Sequence, residues 1–455
     1  MIGLVLIATT VAQANLQITV DRVLRAAELR QTKVSLFAVD LKTNETLIHV
    51  NADDPMVPAS NMKLITTAAA LDSLGPEFIF RTELRVIGPD DWPGKEEQAV
   101  QFAHQGGTVL LVKGDGDPAF GDPKLLEQYH DMDGERLLGT WVDVVRSAGI
   151  THIDQVVVDD GVFDRELVHP SWPDDQLNRW YCAQVAGLNF FDNCLHVYPE
   201  PGQLNHSPHI VIRPEVPFLS TTNRAISGMA DTFWVDRRMG NNDLTFMGKV
   251  KTRRSRPVKV TVHDPPMVFG QILADRLRRA GITVSGVGLA ESEVPLPAGR
   301  PLHFVQTTLP AVLERCNKDS HNLFAEALIK RMGHRVTGAP GSWHNGSAAV
   351  RIVLRRLLGP RAAVVHIADG SGMSRDNRVT VHILVDLIAA MVKDNKRGPT
   401  FVNSLSIAGV DGTLRKRMKE LAPHLYAKTG YLNGVTALSG LLVLPEAEPA
   451  QIDGA

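Results

Sequence analysis

The run Met62-Lys63-Leu64-Ile65-Thr66-Thr67-Ala68-Ala69-Ala70-Leu71 is apolar on nearly every face of the helix it would form. A helix of that kind is stable only when other elements surround it. Pro58 near the first turn and Gly75 just past Leu74 mark its limits. Lys63 alone breaks the apolarity before Asp72, and a lone cation on a buried helix needs a chemical reason. A hairpin precedes it: Val34 to Asp40, a polar turn around Lys42-Thr43-Asn44-Glu45, then Thr46 to Val50. The chain therefore wraps a core around this helix.

Its 455 residues suggest about three domains at ~150 residues each. With 44% apolar and 22% charged residues, the composition excludes a disordered, collagenous or polytopic membrane protein. Lys and Arg (48) nearly balance Asp and Glu (50), so nothing marks nucleic acid as a partner. The exception is a basic run from Lys249 to Lys259, read as a solvated loop or strand. Residues 1–14 read as an export signal in preference to a buried N-terminal strand: an apolar stretch ending Ala12-Gln13-Ala14, with no Lys or Arg ahead of it. No other segment offers ~20 uninterrupted apolar residues, so no integral membrane segment is expected after signal removal. A periplasmic or secreted location follows. The three cysteines include no Cys-x-x-Cys, and neither a metal nor a cofactor is expected. Cys182 and Cys194 are open to a disulfide or to two buried thiols, and Cys316 reads as a free thiol on a helix.

From about 80 to 300 the text turns to short β-like runs separated by Gly, Pro and Asp, interrupted by helical stretches at 124–148 and 266–280. Helices return at 309–333, 342–358 and 379–394, and strand candidates follow at 424–428 and 434–443. Related elements at both ends and β-rich material between them describe one α/β domain that carries an insertion.

Ser60-x-x-Lys63 sets a hydroxyl and an amine one helical turn apart, on one face. A serine hydroxyl is a weak nucleophile until a base takes its proton, and a lysine becomes that base when burial or a nearby cation lowers its pKa. Near the helix start, Ser60 also feels the positive end of the helix dipole, which favours a developing oxyanion. Ser320-His321-Asn322 opens a further helix, and Lys428-Thr429-Gly430 lies on a late strand. Each motif occurs once, in the order Ser-x-x-Lys, Ser-x-Asn, Lys-Thr-Gly. That order is the signature of active-site serine enzymes that act on, or are acylated by, β-lactams.

On these residues the sequence resembles the D-alanyl-D-alanine carboxypeptidase/endopeptidase family of class C low-molecular-mass (type 4) penicillin-binding proteins. Gly114 to Pro118, Tyr181 to Asn193 and Asp369 to Arg375 are similar to family text. The resemblance runs from about 30 to 443. It implies a multidomain α/β fold: a penicillin-binding, serine β-lactamase-like transpeptidase domain with an antiparallel sheet flanked by helices, interrupted by β-rich inserted domains. The implied boundaries are 15–80 and 300–455 for the catalytic domain, 81–205 and 266–299 for inserted domain II, and 206–265 for inserted domain III.

The resemblance also implies roles. Ser60 attacks the carbonyl between two D-alanines of a peptidoglycan stem peptide, and Lys63 is its base. Ser320 relays a proton to the departing amine, while Asn322 holds Lys63 and the substrate amide. Lys428 and Thr429 fix the terminal carboxylate, Gly430 belongs with them to the substrate-binding strand, and the backbone N–H groups of Ser60 and Tyr431 form the oxyanion hole. β-Lactam antibiotics acylate Ser60 as covalent inhibitors. In the insertion, Asp175 suits a substrate amine, with Trp172 and Trp180 beside it in sequence, and Arg375 suits a carboxylate.

Three departures stand out. His321 takes a position where a small polar residue is usual, Tyr431 replaces the Thr or Ser usual after Lys-Thr-Gly, and Leu444-Pro445-Glu446 leads into a polar tail where the family continues with a strand and a helix. Two other readings share part of the pattern: a serine β-lactamase, which needs a carboxylate-activated water, and a non-catalytic cell-wall binding protein.

Overall fold

In a computed structural model, the residues described are 2–5, 10–25, 29, 31–92, 107–291 and 296–444. They divide into two units, one of Met1–Glu77, Leu309–His321 and Trp343–Ala455, the other of Phe78–Thr308 and Asn322–Ser342.

The first unit is built on a six-stranded sheet in the order Ser406–Ile407, Leu425–Leu432, Val435–Leu442, Ile2–Val5, Leu36–Val39, Thr46–Val50. The expected hairpin is present: Leu36 pairs with Val50 and Ala38 with Ile48. Asp40 Oδ1 closes its turn by accepting from the Lys42 N–H at 2.7 Å. The late hairpin runs from Leu425↔Leu442 to Leu432↔Val435, and Gly434 supplies the positive φ of +76° that its two-residue turn requires. Ile2–Val5 is parallel to both Leu36–Val39 and Val435–Leu442, so the sheet is mixed where an antiparallel one was expected. The apolar run read as an export signal thus supplies a strand here; residues 1 and 6–9 of that segment lie outside those described.

Helix Met62–Leu74 buries every residue from Met62 to Leu71, as its composition requires. Helices Leu309–Lys318, Trp343–Leu358 and Val381–Lys393 pack around it. Its polar side chains have partners: Thr67 Oγ1 donates to Lys63 O at 2.7 Å, and Thr66 Oγ1 to Gly370 O at 2.6 Å. Asp72, where the helix turns polar, meets Arg356 and Arg397.

The second unit carries a five-stranded sheet, Thr283–Leu289, His152–Asp159, Val109–Lys113, Ile79–Ile87, Arg300–Thr308. The first three strands are mutually parallel, and Ile79–Ile87 is antiparallel to both its neighbours. Trp141 is fully buried, with the rings of Phe120 and Phe269 at 5.4 and 5.9 Å. The stretch expected to form a separate domain, 206–265, contributes Val216, Phe233 and Phe246 to the same apolar cluster as Trp141. The units also divide the chain differently from the expected boundaries. Arg300–Thr308 belongs to the second unit because it pairs along Ile79–Ile87, and helix Asn322–Thr337 belongs there too.

Two expected helices are each split. The stretch 124–148 forms Pro123–His130 and Gly134–Ser147, separated at Asp131 with φ +46°, after which Asp133 caps the second. The stretch 309–333 forms Leu309–Lys318 and Asn322–Thr337, separated at Ser320 with φ +57°. A left-handed residue ends a helix, and here it turns the second motif's serine out of regular structure.

Candidate active site

The short 3-10 turn Ala59–Asn61 delivers Ser60 just ahead of helix Met62–Leu74. One turn later, Lys63 is fully buried. Its Nζ donates to Ser60 Oγ at 3.1 Å and to the Ser371 carbonyl at 2.9 Å. The amine is therefore aimed at the hydroxyl and held from a second side by backbone.

That second side is the loop Asp369-Gly370-Ser371-Gly372-Met373-Ser374. The buried Asp369 carboxylate accepts from Gly372 N–H (2.8 Å), Ser374 N–H (2.6 Å) and Asn377 Nδ2 (2.8 Å), which fixes the loop's path. Gly372 has φ +84°, and a Cβ on it would stand 1.8 Å from the Ala59 carbonyl. Only glycine fits that approach. Ala59 itself has φ +46°. The backbone is thus left-handed at Ala59, just before one motif serine, and at the other, Ser320; such strain persists only where surrounding structure holds it.

Strand Leu425–Leu432 brings the third motif alongside. Lys428 Nζ donates to Ser320 Oγ at 2.9 Å and to Thr429 O at 2.7 Å. Thr429 Oγ1 donates to Thr413 Oγ1 at 2.8 Å. Gly430 lies so close to the nucleophile turn that a Cβ there would meet Pro58 O and Ser60 N, each at 3.0 Å. Asn61 ties the turn to the sheet: oriented to satisfy both ends of its amide, it donates to Lys428 O at 3.0 Å and accepts from Ser439 Oγ at 2.7 Å. Asn61, Ser371 and Thr413 are site residues that sequence reasoning did not single out. Ser371 contributes through a carbonyl, which every residue type has.

Five of the expected site residues, Ser60, Lys63, Ser320, Lys428 and Thr429, are thus linked in the first unit by two hydroxyl–amine pairs and a strand. Asn322 is counted with the second unit, where its Nδ2 donates to Tyr181 O at 2.8 Å. Asp175 is exposed in the second unit; Arg375 is exposed in the first and donates to Asn433 O. Trp172 is buried and Trp180 is 37% exposed. The Tyr431 side chain is 75% exposed, while its backbone continues the strand beside Gly430. His321 is buried. Cys182, Cys194 and Cys316 are buried free thiols, so the two open alternatives for the first pair resolve to thiols, and burial raises the pKa of Cys194.

Burial first, and then the Lys63 cation, hold the Lys428 ammonium well below the usual lysine range. The unfolded chain therefore binds a proton that the folded chain binds less readily, and stability rises with pH until the ordinary lysine pKa of ~10.4 is passed. Lys428→Met should remove that cost: at pH 7 its melting temperature is expected to exceed the wild type's by about 2–4 °C per kcal/mol relieved, with the gap closing as pH approaches ~10. Thermal melts of both proteins at the two pH values check this.

The family described as D-Ala-D-Ala carboxypeptidase 3 (S13) matches residues 16–449. A D-alanyl-D-alanine carboxypeptidase of Actinomadura sp. (strain R39) is 30% identical over 452 residues, covering 95% of this chain and 79% of the relative. The D-alanyl-D-alanine carboxypeptidase DacB of Haemophilus influenzae is 25% identical over 435 residues, 92% of this chain and 84% of the relative. In three dimensions the chain is similar to the crystal structure of penicillin binding protein 4 (dacB) from Haemophilus influenzae, with a TM-score of 0.72 at 23% identity over 89% of this chain and 86% of that one. A structure of the same protein complexed with a novel β-lactam gives 0.67 at 23% identity, over 91% and 87%. These two likenesses concern the fold.

Proposed function

The chain belongs to the D-Ala-D-Ala carboxypeptidase 3 (S13) family, and on that premise we propose that it is a serine peptidase that cleaves the D-alanyl-D-alanine bond of peptidoglycan stem peptides through an acyl-enzyme on Ser60. The single observation that carries the reading is the 3.1 Å contact from the buried Lys63 amine to Ser60 Oγ. In its neutral form that amine takes the hydroxyl proton as Oγ adds to the carbonyl. The backbone N–H groups of Ser60 and Tyr431 receive the oxyanion. Collapse breaks the C–N bond, and a proton passes to the leaving amine through Ser320, whose Oγ already accepts from Lys428. Lys428 and Thr429 meet the terminal carboxylate, and Gly430 leaves room for the strand to lie against the nucleophile turn. Asn322 holds the substrate amide. Water then attacks the ester and restores Ser60. A β-lactam enters the same first step and remains on the serine.

As separate candidates for stem-peptide recognition, Asp175 suits an amine and Arg375 suits a carboxylate. We also read residues 1–14 as an export signal and the site of action as the periplasm or outside the cell. Among the described residues no helix is long and apolar enough to cross a membrane.

Incubation with a diacylated L-lysyl-D-alanyl-D-alanine peptide is expected to release D-alanine, read by mass spectrometry, and fluorescent penicillin is expected to label the protein with an adduct that survives for minutes to hours. Rapid hydrolysis of penicillin would transfer the chain to the β-lactamases. A folded sample that neither labels nor releases D-alanine would be a wall-binding protein instead.

A further inference from the structure

The peptidase chemistry gives no use to the basic run Lys249 to Lys259, which has six lysines and arginines and no acid. It lies in a stretch, 206–265, with ten basic and five acidic residues, in a chain whose net charge is −2. The second unit holds this run against one particular loop. Lys249–Val250 pairs with Ile226–Ser227, Gly228 N–H donates to Val250 O and Thr232 N–H to Lys249 O, both at 2.9 Å. The Asp231 carboxylate accepts from the backbone of Lys251 at 2.8 Å and of Thr252 at 3.0 Å, and its carbonyl accepts from Arg254 at 3.3 Å.

Residues 228–233 form that loop, and Trp234 opens the strand Trp234–Arg237 that follows it. The loop is anchored by Phe233, which is 5% exposed, yet Met229 within it and Trp234 just after it are 75% and 46% exposed. A solvated loop accounts for the charges but not for a methionine and a tryptophan in water beside them. Cations with apolar and interfacial side chains in one place are the chemistry of peripheral membrane binding, where basic groups meet anionic headgroups and a few apolar side chains enter the acyl boundary.

We propose that loop 228–233, with Trp234 at the start of the next strand, and the basic run together dock on an anionic phospholipid bilayer. Met229 and Trp234 enter the headgroup region, and Lys249, Lys251 and Arg254 face the lipid phosphates. Arg253, already paired with Glu200 at 2.8 Å, is left out of the contact. A soluble acidic polymer would satisfy the cations equally but would leave both apolar side chains wet, so the bilayer fits better.

Flotation of the full chain with vesicles of phosphatidylglycerol and phosphatidylcholine in about equal parts should show binding that vanishes on pure phosphatidylcholine and weakens with salt. The triple variant Lys249→Glu, Lys251→Glu, Arg254→Glu should lower partition about 100-fold or more. Met229→Ser with Trp234→Ser should lower it about tenfold while keeping its salt dependence. All three proteins share one N-terminus, so its apolar residues contribute equally, and unchanged penicillin labelling confirms that each is folded. Equal partition of the wild type and the triple variant would overturn the proposal. So would binding to soluble poly-glutamate together with indifference of vesicle binding to Met229 and Trp234, which would assign the surface to an acidic polymer.

Discussion

Ser60→Ala is expected to abolish labelling by fluorescent penicillin and to lower kcat/KM on a D-alanyl-D-alanine peptide by about 10⁴-fold or more, and Lys63→Ala is expected to fall nearly as far. The two groups share one hydrogen bond, and on the proposed mechanism they form one unit, whose losses are grossly non-additive. The double variant should therefore be little worse than either single one. Lys63→Arg sharpens the test. It retains a cation and donors for the Ser371 carbonyl, but a guanidinium does not give up its proton in a protein and so cannot accept the one from Ser60. Steady-state kinetics and time-resolved penicillin acylation of the four variants decide the matter. If Lys63→Arg kept more than about a tenth of the acylation rate, a charge that only positions the substrate would explain the lysine better than a base.

The second large effect comes from a residue with no side chain. Gly372→Ala puts a Cβ 1.8 Å from the Ala59 carbonyl and 3.0 Å from Met62 Cβ, at a φ of +84°. The clash is backbone against side chain stem, so no flexible tip can move aside. Asp369 pins the loop through three hydrogen bonds and limits its retreat. A loss of about 3 kcal/mol or more is expected, with slower acylation, because the residue before Gly372 supplies the acceptor for Lys63 and the residue it would strike precedes Ser60. Gly359→Ala is the control: its φ is +66° with open space around it, so strain alone costs about 1–2 kcal/mol. Thermal melts and acylation rates of the two variants separate clash from strain.

Much of this site was legible because its chemistry needs particular residue types at fixed spacing. Ser60 with Lys63, and Lys428 with Thr429 and Gly430, announce themselves through hydroxyl, amine and the absence of a side chain, and the all-round apolarity of 62–71 located the buried helix. What stayed hidden has physical reasons. Ala59 and Ser320 are left-handed without being glycine, so residue type gave no sign of the turns. The Ser371 carbonyl and the Asn61 bridge act through backbone or through contact with a distant strand. The two units change over at 77 and 308, near the expected 80 and 300, because Ile79–Ile87 and Arg300–Thr308 pair with each other across the whole insertion, a pairing that no local pattern encodes. Val216, Phe233 and Phe246 of 206–265 share an apolar cluster with Trp141, which the sequence did not show, since short β-like runs look alike whether they share a core or own one. The two proposed substrate contacts, Asp175 and Arg375, were surface charges in the sequence, and exposure leaves them reachable.

The division of the chain also orders events in time. The second unit is complete once Ser342 has been made, whereas the first needs Leu425–Leu432 and Val435–Leu442, more than eighty residues later. During synthesis at ~5–20 residues per second, Ser60 and Lys63 emerge long before the strands Leu425–Leu432 and Val435–Leu442 that complete the sheet of their unit. The Ser371 carbonyl that accepts from Lys63 and the Lys428 side chain that donates to Ser320 both come from sequence translated after Ser342. A nascent chain that stops before Ser371 therefore carries Ser60 and Lys63 without the carbonyl that holds Lys63 and without the Lys428 amine that meets Ser320.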